Sequence, residues 1–133
     1  MPPNIVIGLV ALLFALLLYS MAAWGAFRNN GVELRHVAHL WVGFFFDVIA
    51  TWMMAIQIGG LDLRPGAPLL HTVLALAGMG GMFAAALVGT WAFVKRDAAV
   101  GRAVSRYVLA PWVVWVFVFV WGMIERGGAR VRG

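Results

Sequence analysis

The chain has 133 residues, of which 64% are hydrophobic and only 11% are charged. Its mean hydropathy is +0.94, whereas soluble domains contain about 45 to 50% apolar residues. The composition therefore excludes an ordinary globular protein. Because one membrane-spanning helix needs about 20 apolar residues, a chain of this length holds about three or four spans and no separate soluble domain.

Ten Lys and Arg residues against five acidic residues give a formal net charge of +5. In a soluble protein this excess would suggest nucleic acid as a partner. Here the basic residues flank apolar runs, where they meet lipid headgroups, so we expect the lipid bilayer and no nucleic acid as the partner. Cysteine is absent, which excludes thiolate catalysis and cysteine-ligated metals.

Four apolar runs predict four transmembrane helices, at about 5–27, 37–58, 68–94 and 107–124. We expect the first to be retained rather than cleaved as a signal peptide, because no Lys or Arg precedes it and its apolar stretch is too long for a signal core. Short loops make successive helices antiparallel neighbours. The sequence therefore predicts one domain, 1–133, that folds as an all-α, up-and-down four-helix membrane bundle.

Small residues interrupt the third helix and let neighbouring helices approach closely in lipid. We expect Gly43 of the second helix to pack in the same way, and the small-residue face of the third helix is a candidate interface for a homodimer. The predicted packing residues of the third helix are Gly78, Gly81, Ala85 and Gly89.

Basic residues on the two sides of the predicted bundle indicate its orientation. Six Lys and Arg residues follow helices one and three, and four lie on the opposite side. Because cytoplasmic loops are enriched in these residues, we expect both termini on the non-cytoplasmic side. An amphipathic lead-in bearing Arg102 and Arg106 precedes helix four, and the tail 125–133 is expected to be a flexible end that contacts headgroups.

Asp47 lies near the middle of helix two, where an uncompensated charge costs about 2.5 to 3.5 kcal/mol on insertion scales. The helical period places His39, Gly43 and Thr51 on the same side as Asp47. Thr51 lies one turn after Asp47 and is positioned to donate a hydrogen bond to its carboxyl. This stripe predicts a polar site for a proton, an ion or a small ligand, and the alternative is that Asp47 is a hydrogen-bonded packing residue.

Three histidines are candidate ligands of haem or a metal. His36 and His39 are three residues apart on helix two, but two imidazoles without a carboxylate do not fill a tetrahedral site, and we expect His36 to extend to the membrane interface. His71 opens helix three at the opposite side of the membrane. Because haem iron with two histidine ligands holds one on each face, joining His39 and His71 would require a kink.

The run from His39 to Asp47 (HLWVGFFFD), followed by Thr51, Met53–Met54, His71 and the run Trp91–Lys95 (WAFVK), resembles the HsmA family of small bacterial membrane proteins. The family has four helices and a poorly defined activity, so the resemblance, which covers helices two to four, implies this fold in a bacterial inner membrane. The family has further histidines where this sequence has Ala85 and Ser105. The resemblance therefore implies the fold more than redox chemistry.

No serine nucleophile with a base, phosphate-binding glycine loop or pair of carboxylates is present in the sequence. We therefore expect a non-enzymatic membrane module that binds or moves a small ligand or a proton at His39, Asp47 and Thr51, with transport requiring a homodimer. One alternative is an electron-transfer subunit that holds a b-type haem or a quinone through His39 or His71. Another is a structural or assembly subunit of a larger membrane complex, in which Asp47 pairs with a basic residue of a partner.

Overall fold

A computed structural model describes the backbone of residues 2–132 and the side chains of 2–57 and 59–124. The helices are α1 (Pro3–Asn29), α2 (Leu34–Ile58), α3 (Ala67–Lys95), α4 (Ala98–Tyr107) and α5 (Leu109–Arg132). Four segments are long and apolar enough to cross a membrane, namely Pro3–Asn29, Leu34–Gln57, Ala67–Lys95 and Ala98–Ile124. Over the described residues the chain is thus an all-helical bundle with four segments able to span a membrane, as predicted.

The lead-in to the last span forms a separate helix, α4, before α5. Asp97 begins it, because its side chain accepts hydrogen bonds from the backbone N–H groups of Ala99 and Val100, which have no partner in the first helical turn. Only Val108 separates α4 from α5.

The prediction for the tail was wrong in one respect, since its backbone is helical to Arg132, and good helix formers on both sides of its two glycines favour that conformation.

The α1 and α2 helices form a closely packed antiparallel hairpin. The face of α1 toward the bundle is built from alanines and carries one large side chain, Tyr19, which is fully buried. Small side chains let the two helix backbones approach closely. The buried alanines of this face are Ala11, Ala15, Ala22, Ala23 and Ala26.

The contact between α3 and α5 depends on two of the predicted packing glycines. A Cβ atom added to Gly78 would lie 3.3 Å from Cα of Trp115, and one added to Gly81 would lie 2.9 Å from Cβ of Pro111. The two glycines therefore bring α3 against the backbone of α5 at the depth of Trp115.

The other side of α3 packs against α2. A Cβ atom at Gly89 would lie 3.3 Å from Cδ1 of Leu40, and Ala85 is fully buried. Nearby, Nε1 of Trp41 donates a 2.8 Å hydrogen bond to Oγ1 of Thr90. The four small residues predicted in α3 thus lie in contacts within this chain.

Candidate functional site

The carboxyl group of Asp47 lies where α1, α2 and α5 meet. Asp47 is only 3% exposed. Its Oδ2 atom accepts a 3.0 Å hydrogen bond from the hydroxyl of Tyr19 and another of 3.0 Å from Nε1 of Trp115. The first and last spans therefore each supply a donor to the same oxygen.

Local packing fixes the two donors. The ring of Tyr19 meets that of Trp115 edge-on, with centroids 5.1 Å apart at an angle of 86°. Gly43, one turn before Asp47, makes room for Tyr19, because a Cβ atom there would lie 2.8 Å from Cδ1 of the tyrosine ring. The predicted packing role of Gly43 is therefore also a role in placing the hydroxyl of Tyr19 at Asp47.

The other carboxyl oxygen of Asp47, Oδ1, accepts no hydrogen bond from the residues that the structure describes. The ion pairs formed by those residues are Arg35–Glu33 and Arg64–Asp62. Asp47 thus has two donors on one oxygen, an unoccupied second oxygen and no cationic side chain beside it within the described part of the chain.

Asp47 forms part of the wall of a cavity of about 120 Å³ between the helices. Thr51 and His71 also line this cavity, together with the rings of Trp115 and Phe119, which stack with centroids 5.7 Å apart. Most of the remaining wall is aliphatic. The cavity therefore combines one carboxyl, one hydroxyl and one imidazole with aromatic surface.

A second cavity, of about 370 Å³, lies beside the first, on the side of the α2–α3 loop. The two share Thr51 and His71. Asp62 and Arg64 line the loop end of the second cavity and form a 2.6 Å ion pair there. The two cavities thus lie side by side between Asp47 and the loop end of the bundle.

The ion pair at that end is charged at all physiological pH values. Hydrogen bonds from Arg64 lower the pKa of Asp62 from 3.8 to about 2. The same contacts raise the pKa of Arg64 above its ordinary value. Protonation near neutral pH therefore does not alter this pair.

The structure brings together only part of the predicted site. Thr51 lies on the cavity wall with Asp47, but its hydroxyl donates to Sδ of Met79 at 3.8 Å rather than to the carboxyl of Asp47. His39 does not line the Asp47 cavity and instead lines a groove at the other end of α2. The predicted stripe thus divides between two sites.

The expectation that His36 extends to the membrane interface was wrong. His36 is only 2% exposed, and its Nδ1 accepts a 3.0 Å hydrogen bond from the backbone N–H of Glu33 at the start of α2. The ring lies against Gly25 of α1, where a Cβ atom would be 3.0 Å from Nε2. A helix-capping role and the space left by a glycine therefore hold the imidazole inside the bundle.

The histidines do not assemble into a shared ligand set. Among the described residues, no group of three His, Asp or Glu side chains could hold a metal ion. His39 and His71 line separate cavities. The cavity shared by His71 and Asp47 measures about 120 Å³, and because an engineered cavity of about 150 Å³ accommodates benzene, a porphyrin does not fit. The residues present therefore do not fit a haem held by both histidines.

Sequence reasoning missed Tyr19 and Trp115 as partners of Asp47. A signal for both exists, because a buried tyrosine hydroxyl or tryptophan N–H usually finds an acceptor, and both residues lie well inside apolar runs. Asp47 was the obvious acceptor at membrane depth. Comparisons with protein-family models, with characterised proteins and with solved structures find no match.

Proposed function

We propose that the protein binds a small organic cation at Asp47 and exchanges it for a proton. The observation that carries this proposal is the free Oδ1 atom of Asp47 in a cavity that two aromatic rings help to line. From the sequence we expected a proton, an ion or a small ligand at His39, Asp47 and Thr51. The proposal specifies an organic cation, and His71 takes the place of His39 among the residues around Asp47. It describes a non-enzymatic membrane protein.

The charge of the ligand follows from the surroundings of Asp47. An ionised carboxylate inside a protein costs several kcal/mol unless it is paired and hydrogen-bonded. The donors from Tyr19 and Trp115 satisfy one oxygen, and a proton or a cation on the other neutralises the charge. Trp115 and Phe119 line the same cavity, and aromatic rings attract cations through their quadrupoles.

The size of the cavity limits the ligand. About 120 Å³ is slightly less than the cavity of about 150 Å³ that binds benzene. The fully methylated ammonium ion, tetramethylammonium, is of suitable size and has no N–H groups that would require further acceptors. Larger amines would extend past His71 into the second cavity.

Competition for one carboxyl couples the ligand to the proton. When a cation binds at Oδ1, the proton held there leaves, so cation binding releases a proton and strengthens as the pH rises. With the predicted orientation and the resemblance to the HsmA family, the α2–α3 loop and the cavity mouth face the non-cytoplasmic side of a bacterial inner membrane. The ligand would then enter from outside the cytoplasm.

The experiment compares two molecules of similar shape. Tetramethylammonium and tert-butanol are titrated into the purified protein in detergent micelles, with heat and released protons recorded in weak buffer. We expect tetramethylammonium to bind with proton release and tert-butanol to bind far more weakly. Asp47→Asn should abolish both signals, whereas Asp97→Asn should keep them, because asparagine also caps a helix.

Two results would contradict the proposal. Binding of tetramethylammonium to the Asp47→Asn variant with unchanged affinity would place the cation elsewhere. Loss of folding in that variant in mild detergent would favour the alternative in which Asp47 only stabilises the bundle.

A further inference from the structure

A groove of about 440 Å³ runs between the end of α1 and the start of α2. It shares no lining residue with the Asp47 cavity. Its charged end is lined by Arg28, Arg35 and His39, and its apolar part by Leu17 and Met21. Polar and apolar walls are thus separated along the helix axis.

The charged end has an excess of positive charge. Arg28 is exposed and forms no hydrogen bond or ion pair with any residue that the structure describes. Arg35 pairs with Glu33 at 3.1 Å, but the two side chains are 62% and 52% exposed, and such surface pairs contribute little. Both guanidinium groups therefore remain available to an anion.

Two imidazole nitrogens beside the arginines lack partners. Nε2 of His36 and Nδ1 of His39 are buried without a hydrogen-bond partner among the described residues. His36 is 98% buried, since its exposed fraction is 2%. Both residues line the groove, and because buried polar atoms usually have a partner, the two nitrogens are unsatisfied polar atoms in its wall.

The apolar part of the groove continues toward the membrane centre. Leu17 and Met21 are 56% and 47% exposed and lie on one face of α1 with Trp24 and Arg28. From Leu17 to Arg28 the helix rises about 16 Å, at about 1.5 Å per residue. The groove thus matches an amphipathic molecule with an anionic head at the helix end and an apolar chain below it.

We propose that this groove binds one anionic phospholipid, with the phosphate between Arg28 and Arg35 and an acyl chain along Leu17 and Met21. Basic pockets between helix ends bind such headgroups. A free phosphate ion would make no contact with the exposed apolar wall formed by Leu17 and Met21. A zwitterionic lipid would bring an ammonium group toward the two guanidinium groups.

Trp24 lines the groove and reports on its occupant. We would titrate brominated phosphatidylglycerol or brominated phosphatidylcholine into detergent micelles of the protein and of the Trp24→Phe variant. The difference in tryptophan quenching between the two proteins isolates the signal of Trp24. We expect phosphatidylglycerol to quench Trp24 at a mole fraction about tenfold lower than phosphatidylcholine, because each arginine favours the anionic headgroup.

The matched variants remove equal charge from the same end of the bundle. In the double variant Arg28→Gln with Arg35→Gln, phosphatidylglycerol should quench Trp24 only at the mole fraction at which phosphatidylcholine does. Arg102→Gln with Arg106→Gln should change it less than about twofold, because these exposed α4 residues lie outside the groove and contribute only general attraction.

Three results would overturn the proposal. Equal quenching by the two lipids would show that the groove does not select an anionic headgroup. If both double variants lost the preference for phosphatidylglycerol equally, general surface charge rather than the groove would explain that preference. Relief of quenching by millimolar inorganic phosphate at constant ionic strength would identify a free anion, rather than a lipid, as the occupant.

Discussion

Gly43 and Tyr19 are in such close contact that a Cβ atom on the glycine would lie 2.8 Å from Cδ1 of the tyrosine ring. Tyr19 is fully buried, so it cannot move away without disturbing α1 or Asp47. Gly43→Ala should therefore lower the free energy of unfolding by about 1 to 3 kcal/mol, the usual cost of overpacking. Denaturant titration in detergent measures this change.

Gly80→Ala is the matched control, because no atom lies within 4 Å of a Cβ at that position. Gly80 lies inside α3, where alanine is the better helix former by up to about 1 kcal/mol. We expect this variant to be unchanged or slightly more stable. Equal destabilisation by both substitutions would show that the contact with Tyr19 is not the cause.

Removal of the Tyr19 hydroxyl should weaken ligand binding as well as folding. Tyr19→Phe keeps the ring but removes the 3.0 Å hydrogen bond to Asp47. A hydrogen bond to a charged group contributes about 1.5 to 3 kcal/mol, against about 1 kcal/mol for a bond between neutral groups. Because only this difference weakens cation binding, we expect the affinity for tetramethylammonium to fall by about 2- to 30-fold. Calorimetric titration measures the loss.

Ser20→Ala provides the comparison for Tyr19→Phe. It removes the acceptor of a bond of equal length, 3.0 Å, from Nε1 of Trp112, on the same helix and outside the Asp47 cavity. Both variants should lose about 1 kcal/mol of stability, but Ser20→Ala should keep its affinity for the cation. An unchanged affinity for the cation in Tyr19→Phe would show that the Tyr19 hydroxyl does not contribute to binding.

Two substitutions at Asp47 should have opposite effects on assembly. Asparagine can still accept from Tyr19 and Trp115 through its amide oxygen, so Asp47→Asn should insert and remain monodisperse in detergent. Lysine has no acceptor and would leave both donors unpaired beside a buried charge, so Asp47→Lys should aggregate. Size-exclusion chromatography distinguishes the outcomes, and a monodisperse Asp47→Lys protein would contradict the buried geometry.

The pH dependence of cation binding should not involve Asp62. Its pKa is lowered from 3.8 to about 2 by Arg64, so the pairing is fully present above 3.8 and is lost only as the pH falls through about 2. Asp62→Asn should therefore keep the wild-type pH profile of cation binding at pH values above 3.8. A flattened pH profile of cation binding in that variant would show that the titrating group is Asp62 at the cavity mouth rather than Asp47.

The absorption spectrum should show no Soret band after expression with ample haem. His39 and His71 line separate cavities, and the one that contains His71 and Asp47 measures about 120 Å³. A Soret band that disappears in His39→Ala or His71→Ala would support the electron-transfer alternative and contradict this prediction.

The sequence predicted the spans and the Asp47 region because both depend on local periodicity. Apolar run length indicates a span, and spacing along α2 places Gly43, Asp47 and Thr51 on one side. Periodicity indicates which face is buried but not which residue of another helix meets it. Tyr19 and Trp115, which are 28 and 68 residues from Asp47, therefore could not be assigned to it from spacing.

The position of His39 shows the same limit in a different way. Two turns of helix separate His39 from Asp47, and the side chains of α1 that meet them differ. Tyr19 covers Asp47, whereas His39 lies in the groove with Arg28. A shared helix face therefore did not produce a shared site, because the opposing helix divides it.

The 68 residues between Asp47 and Trp115 also impose an order on biosynthesis. When α2 leaves the ribosome, α1 already exists and can supply the hydroxyl of Tyr19, but α5 has not been translated. The carboxyl group therefore enters the membrane with one donor and receives the second only when the last span inserts. A nascent chain that ends before α5 has an acid at membrane depth with only one of its two donors.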